Sequence, residues 1–102
     1  MQHLSVYDRT TERLIGKSAD ITTKGVLIIT DQPFVVGADL ELRIRLPQPL
    51  FGIEHVEVDG QVMWRSKDVN PGAYDVGVAF TSLSKRDEVI IGQLIATYSM
   101  VG

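Results

Sequence analysis

The feature that most constrains this chain is an alternation of apolar and polar residues with a period of two, repeated in several segments. Leu40, Leu42, Ile44 and Leu46 alternate with Glu41, Arg43 and Arg45. Successive side chains on a strand point to opposite faces, so this pattern predicts a strand with one buried and one wet side. Val56, Val58, Val62 and Trp64 alternate likewise with Glu57, Asp59, Gln61 and Arg65. Gly60 falls on their apolar side, where a bulge or a close backbone approach is expected. Tyr74, Val76, Val78 and Phe80 form a third set, entered through Asn70-Pro71-Gly72, whose backbone preferences favour a turn. Two hairpins in succession, an antiparallel meander, follow.

Upstream, Val26-Leu27-Ile28-Ile29 is a short aliphatic run rich in β-branched residues, the pattern of a strand covered on both faces. Leu4 to Tyr7 and Arg13 to Ile21 read as two further strands joined across Asp8-Arg9-Thr10-Thr11. The ending differs in kind. Ile91, Leu94, Ile95 and Tyr98 follow helical spacing, and Ser84-Lys85-Arg86-Asp87 supplies an N-cap with an acid three places on. Gly92 inside that helix costs roughly 1 kcal/mol relative to alanine. The reading is an all-β fold, a six-stranded antiparallel β-barrel over about residues 4–80 closed by one C-terminal α-helix over about residues 85–99. A chain of 102 residues suits one such core and one domain, spanning residues 1–102.

The bulk properties exclude several functions. Without cysteine there is no disulfide framework, thiolate metal site or cysteine nucleophile. A net charge of -3 argues against binding DNA or RNA through bulk electrostatics, since duplex affinity rests on Lys and Arg neutralising phosphates. An RNA-binding barrel has Arg43 and Arg45 on one strand face in its favour, but Glu41 on that same face and few aromatics for stacking against it. No stretch approaches the roughly 20 apolar residues that span a bilayer, and Met1 to Val6 lacks a basic segment followed by an apolar run, so no membrane insertion and a cytoplasmic location are expected. His3 and His55 stand far apart without metal-type spacing, and no metal or cofactor is expected. Gly16-Lys17-Ser18 imitates the end of a phosphate loop, but Thr11 occupies the upstream glycine position and no helix follows. No Gly-x-Ser-x-Gly elbow is present, and Glu41, Glu57, Asp59 and Asp75 sit in polar strand phase, so a binding module rather than an enzyme is expected.

Two stretches carry a resemblance to a known family. Asp20-Ile21-Thr22-Thr23-Lys24-Gly25, followed by an aliphatic strand, is similar to the Asp/Asn-x-Ser-x-x-Gly signature of the PilZ family, with threonine in place of serine. Tyr74-Asp75-Val76-Gly77-Val78-Ala79-Phe80, preceded by Val62-Met63-Trp64-Arg65, resembles the last strands of that family before its helix. The resemblance covers nearly the whole chain and implies a PilZ-like six-stranded barrel acting as a bacterial regulatory module in cyclic di-GMP pathways. It implies Asp20, Thr22 and Gly25 as ligand-contacting positions for cyclic di-GMP. A carboxylate can accept two hydrogen bonds from the donor edge of guanine, a hydroxyl can bridge base or phosphate, and glycine lets the backbone approach. The alternative is that Asp20 and Thr22 only cap a turn and Gly25 supplies a positive φ.

The family's nucleotide-binding members also carry Arg-x-x-x-Arg well upstream of the aspartate. Arg9-Thr10-Thr11-Glu12-Arg13 matches those letters, yet Arg13 lies too close to Asp20. The natural alignment puts Ser5 to Lys17 on the family's first hairpin, so the proper clamp would precede Met1, and Arg9 and Arg13 read as solvated residues at a hairpin tip. Arg9, Arg13, Lys17 and Lys24 stay as candidate phosphate contacts. A second function, contact with a protein partner without nucleotide, for example in pilus, motility or exopolysaccharide regulation, is motivated by Pro47-Gln48-Pro49-Leu50-Phe51-Gly52-Ile53. Read as a loop, that segment offers Leu50, Phe51 and Ile53 as an apolar contact patch, or else folds them back over the barrel end.

Overall fold

A computed structural model describes residues 3–99, with the backbone alone at Tyr98 and Ser99. The expected place of the Tyr98 side chain in the helical stripe therefore lies outside the described residues. Six strands, β1 (Ser5–Asp8), β2 (Leu14–Ile21), β3 (Gly25–Thr30), β4 (Asp39–Leu50), β5 (Ile53–Lys67) and β6 (Tyr74–Ser82), precede one helix, α1 (Lys85–Ser99). The strands close into a barrel in the order β1-β2-β3-β6-β5-β4, every pair antiparallel, with β4 returning to β1. The expected meander is β4-β5-β6.

The alternation explains the core. Val6, Ile28, Leu42, Ile44, Val56, Val58, Val62 and Val76 are buried inside the barrel, and Ile90, Ile91 and Leu94 of α1 join them in one cluster against β5. Ser84 caps the helix as its position predicted: its Oγ accepts the Asp87 N–H at 3.1 Å and its carbonyl accepts the Glu88 N–H at 2.9 Å. Two polar residues on the inner side are hydrogen-bonded. The Ser18 hydroxyl accepts the Leu4 N–H at 3.0 Å, and the Thr30 hydroxyl donates to the Ile15 carbonyl at 2.7 Å. Among the described residues no helix is long and apolar enough to cross a membrane.

Three local readings are corrected. The segment 47–53 is not a loop: β4 runs to Leu50, β5 starts at Ile53, and only Phe51 and Gly52 turn between them, both at positive φ (53° and 76°). Positive φ at both positions is the hairpin turn whose twist matches its strands. Leu27 and Ile29 are not covered on their second side: Val26 and Ile28 point inward, while Leu27 and Ile29 stand half-buried on the outer surface. Trp64 does not share the face of Val62. Val62 pairs with Val78 and Trp64 with Gly77, so Met63 is an extra residue, a bulge that turns the indole outward.

Candidate functional site

A second bulge lies in β2, where Ser18 pairs with Ile28 and Asp20 with Leu27, leaving Ala19 extra. Strict alternation would put Asp20 in the inward phase of Ser18. The bulge sends it outward instead, as the one at Met63 does for Trp64. Because Leu27 pairs with Gly77 and Gly77 with Trp64, the residues Asp20, Leu27, Gly77 and Trp64 form one row across the four adjacent strands β2, β3, β6 and β5. At about 4.8 Å per strand, the carboxylate-bearing and indole-bearing backbones stand roughly 14 Å apart. Leu27 and Gly77 make the floor between them.

Both glycines of this region are required by packing. A Cβ on Gly25 would run into the Val78 carbonyl, so only glycine lets β3 lie this close to β6; its φ is not positive, which corrects one of the two readings of that residue. A Cβ on Gly77 would overlap the Trp64 ring, which lies across the bare backbone. The resulting cavity, about 330 Å³, is open to solvent and mainly apolar; Asp20, Thr22, Lys24 and Gly25 line one side, Met63 and Trp64 the other. That volume is at the lower end of small-molecule sites, roughly 300–1,000 Å³.

The polar groups of the rim are partly committed to the β2–β3 turn. Asp20 Oδ1 accepts the Ile21 N–H at 2.9 Å, and Thr22 Oγ1 accepts the Lys24 N–H at 3.1 Å. The Thr22 N–H donates to the Gly25 carbonyl at 2.9 Å, and the Lys24 carbonyl receives the Phe80 N–H from β6 at 2.9 Å. The turn is thereby fixed to the barrel. Asp20 Oδ2 keeps its acceptor capacity, and the Thr22 hydroxyl keeps its proton to donate.

The remaining candidates are dispersed. Among the described residues Lys24 is the one cation lining the cavity. Lys17 is exposed three residues along β2 from Asp20, roughly 10 Å away, and does not line it. Arg13 sits just before the far end of β2, roughly 23 Å from Asp20, in a separate hollow with Asp8 and Asp31. Arg9 is not a solvated tip residue. Its Nη2 contacts Asp59 Oδ1 at 2.6 Å and Glu41 Oε2 at 2.9 Å, and its Nε lies 3.9 Å from Glu57, on the outer face of β4 and β5. The hydrogen bonds it donates to Asp59 and then to Glu41 hold its pKa above the ordinary arginine value. Leu50 and Ile53 pack against the core, whereas Phe51 at the turn between them is 74% exposed. His55 Nε2 lies 3.6 Å from Glu57 Oε1, and among the described residues no group of three or more metal-ligating side chains converges.

Trp64 as a cavity residue escapes an alternation argument, because the bulge at Met63 inverts its phase. The one available signal is Gly77 itself, a glycine within a strand pattern, which marks a close approach.

Comparison with known proteins agrees with this geometry. The solved structure of Bacillus subtilis Inhibitor of motility (MotI/DgrA) superposes with a TM-score of 0.80 at 18% sequence identity, covering 98% of this chain and 48% of that one. The chain thus spans about half the length of that neighbour. No match is found among curated proteins. The PilZ domain family matches residues 3–97, nearly the whole sequence, and the chain belongs to it.

Proposed function

We propose that this chain is a regulatory module of a cyclic di-GMP pathway, and that the cavity between Asp20 and Trp64 is its nucleotide-facing surface. The observation that carries the reading is the row Asp20-Leu27-Gly77-Trp64, in which two bulges bring an acceptor and an aromatic ring onto one outer surface beside an apolar floor. A purine base suits that arrangement. Its donor edge meets the Asp20 carboxylate, and its ring stacks on the indole beside Leu27. Base stacking on an aromatic side chain contributes roughly 1–3 kcal/mol.

The phosphates are served less well. Lys24 is a single point charge, and among the described residues no arginine lines the cavity. Charge-assisted hydrogen bonds contribute about 1.5–3 kcal/mol each, so doing without two of them weakens binding by roughly two to four decades. The expected result of isothermal titration calorimetry with cyclic di-GMP is saturable binding weaker than micromolar, abolished by Asp20→Ala and reduced about tenfold or more by Trp64→Ala. Absence of heat at high ligand concentration removes the nucleotide from the function and leaves the second reading.

That second reading, regulation by protein contact, is favoured by Phe51. An aromatic residue held at φ 53° costs roughly 1–2 kcal/mol, and its ring is exposed rather than folded onto the barrel end. The Bacillus subtilis neighbour, covered over about half its length, is titled an inhibitor of motility. Regulation of that kind is consistent with contact through such a projecting tip.

A further inference from the structure

The barrel is closed, but β5 is longer than its neighbour. It runs from Ile53 to Lys67, and its pairing with β4 ends at Gln61 opposite Asp39. Two bonds to the 31–38 loop, Gly37 N–H to the Val62 carbonyl at 2.8 Å and Val62 N–H to the Ala38 carbonyl at 2.9 Å, finish that side. Beyond them β5 pairs, among the described residues, with β6 alone, through Lys67 opposite Tyr74, and every residue from Met63 to Lys67 is exposed. The loop then bends away through the Ala38 N–H to Val35 carbonyl bond, and leaves Val35 71% and Val36 58% exposed beside the strand. A strand edge of this kind is a template for one more strand.

The side chains at the edge state what that strand must be. Arg65 and Lys67 share one face, since alternate residues of a strand do. The Arg65 guanidinium is set over the Tyr74 ring, 5.3 Å from its centroid, with Nη1 on the Phe34 carbonyl at 3.3 Å. Neither cation has a carboxylate partner among the described residues, in a chain of net charge -3 where Arg9, Arg43 and Arg86 each have one. Asp68 and Asp75 belong to the opposite phase of the same ribbon. A second copy of this chain is a poor occupant, because two such edges would gather four cations into one ribbon.

We propose that the free edge of β5 over residues 63–67 takes up an extended segment of a partner protein by strand addition, the segment carrying Asp or Glu at alternate positions facing Arg65 and Lys67 and apolar residues against Val35 and Val36. Strand addition draws affinity from the main chain and selectivity from alternate side chains. The edge adjoins the nucleotide-facing cavity at Met63 and Trp64, but its deciding charges, Arg65 and Lys67, lie outside that cavity.

The test is affinity selection of a random peptide library displayed on phage, with the chain and its Lys67→Glu variant as parallel baits. Lys67 is exposed and outside the cavity, so the folded variant is checked by its amide spectrum. The expected outcome is enrichment of peptides with alternate acidic residues, bound about tenfold more weakly by Lys67→Glu and undiminished by Lys67→Arg. Slowed amide exchange within residues 63–67 is expected on binding. No enrichment, equal selection on Lys67→Glu, or protection elsewhere overturns the proposal. A dimer that protects the same amides without peptide overturns it too, by giving the edge to a second copy.

Discussion

Asp75 shows how much one residue's setting can depart from its sequence phase. It reads as one more wet-face carboxylate, and its alternation is right, yet its Oδ1 is buried without a donor. Asp75 faces Asp68 across the neck of the β5–β6 hairpin, where the Asp68 N–H bonds the Ala73 carbonyl at 3.0 Å. The hydrogen-bonding contact with Asp68, followed by burial, holds the Asp75 carboxyl above the usual aspartate range. The Asn70 N–H, followed by the contact with Asp75, holds Asp68 below it. The two are therefore expected to titrate as a pair around one shared proton. The raised Asp75 favours the folded state while protonated, and that contribution is lost as pH rises from the ordinary aspartate value through the raised one. The lowered Asp68 acts oppositely, and its contribution is lost as pH falls through its depressed value. Asp75→Asn supplies an amide donor in place of the shared proton. Urea unfolding between about pH 3 and pH 7 is expected to show the variant gaining on the parent as pH rises, then holding level. A gap independent of pH excludes the shared proton. No local sequence pattern carries this pair, since its strength depends on which carboxylate the hairpin brings opposite.

At the scale of elements, the strands and the helix were legible because each is written in a period, and α1 spans the range its spacing predicted. The site was legible only in part. Asp20, Thr22 and Gly25 stand together because they are neighbours in one turn, whereas Trp64 joins them through two insertions that invert the alternation on which strand reading depends. The β4–β5 hairpin was misread for a related reason. Pro47, Gln48 and Pro49 look like a loop, but they lie beyond the Val6-Ile44 end of the described β1–β4 ladder, where a strand tolerates proline. Its tip separates packing from contact. Leu50 and Ile53 rest on the core, so Leu50→Ser is expected to destabilise by about 1–3 kcal/mol in urea unfolding. Phe51 touches little and sits at positive φ, so Phe51→Gly is expected to leave stability unchanged or raise it by about 1 kcal/mol, while weakening any protein contact made there. A loss of 2 kcal/mol or more in Phe51→Gly would place the ring in the folded core and remove it as a contact.

For the whole molecule the weakest seam is where the barrel closes. Among the described residues β1, four residues long, pairs with β4 only through Val6-Ile44, Tyr7-Arg43 and Asp8-Leu42. Closing a chain segment onto a strand more than thirty positions away also carries a large loop entropy, with few ladder bonds in return. The placement of Arg9 answers this. Its N–H bonds the Glu41 carbonyl at 2.9 Å, and its guanidinium reaches past Glu41 of β4 to Asp59 of β5, spanning both strands beyond the last β1–β4 pair. The residue that matches the first letter of a phosphate clamp thus serves as an ionic staple across the closure. A local reading cannot reveal this, since it follows from pairings formed only when the sheet closes. Exposed or half-exposed ion pairs contribute about 0.2–1 kcal/mol each, so Arg9→Ala is expected to cost roughly 1 kcal/mol overall. The loss should be local as well as global: amides of β1 and the facing residues of β4 are expected to exchange faster relative to those of β3 and β6. Salt provides the second readout. Raising ionic strength screens such pairs, so added sodium chloride should narrow the stability gap between the parent and Arg9→Ala. A gap that salt leaves unchanged, with exchange rising evenly over all strands, would assign Arg9 a packing role and leave the seam to Leu4, Ser18 and the β1–β2 ladder.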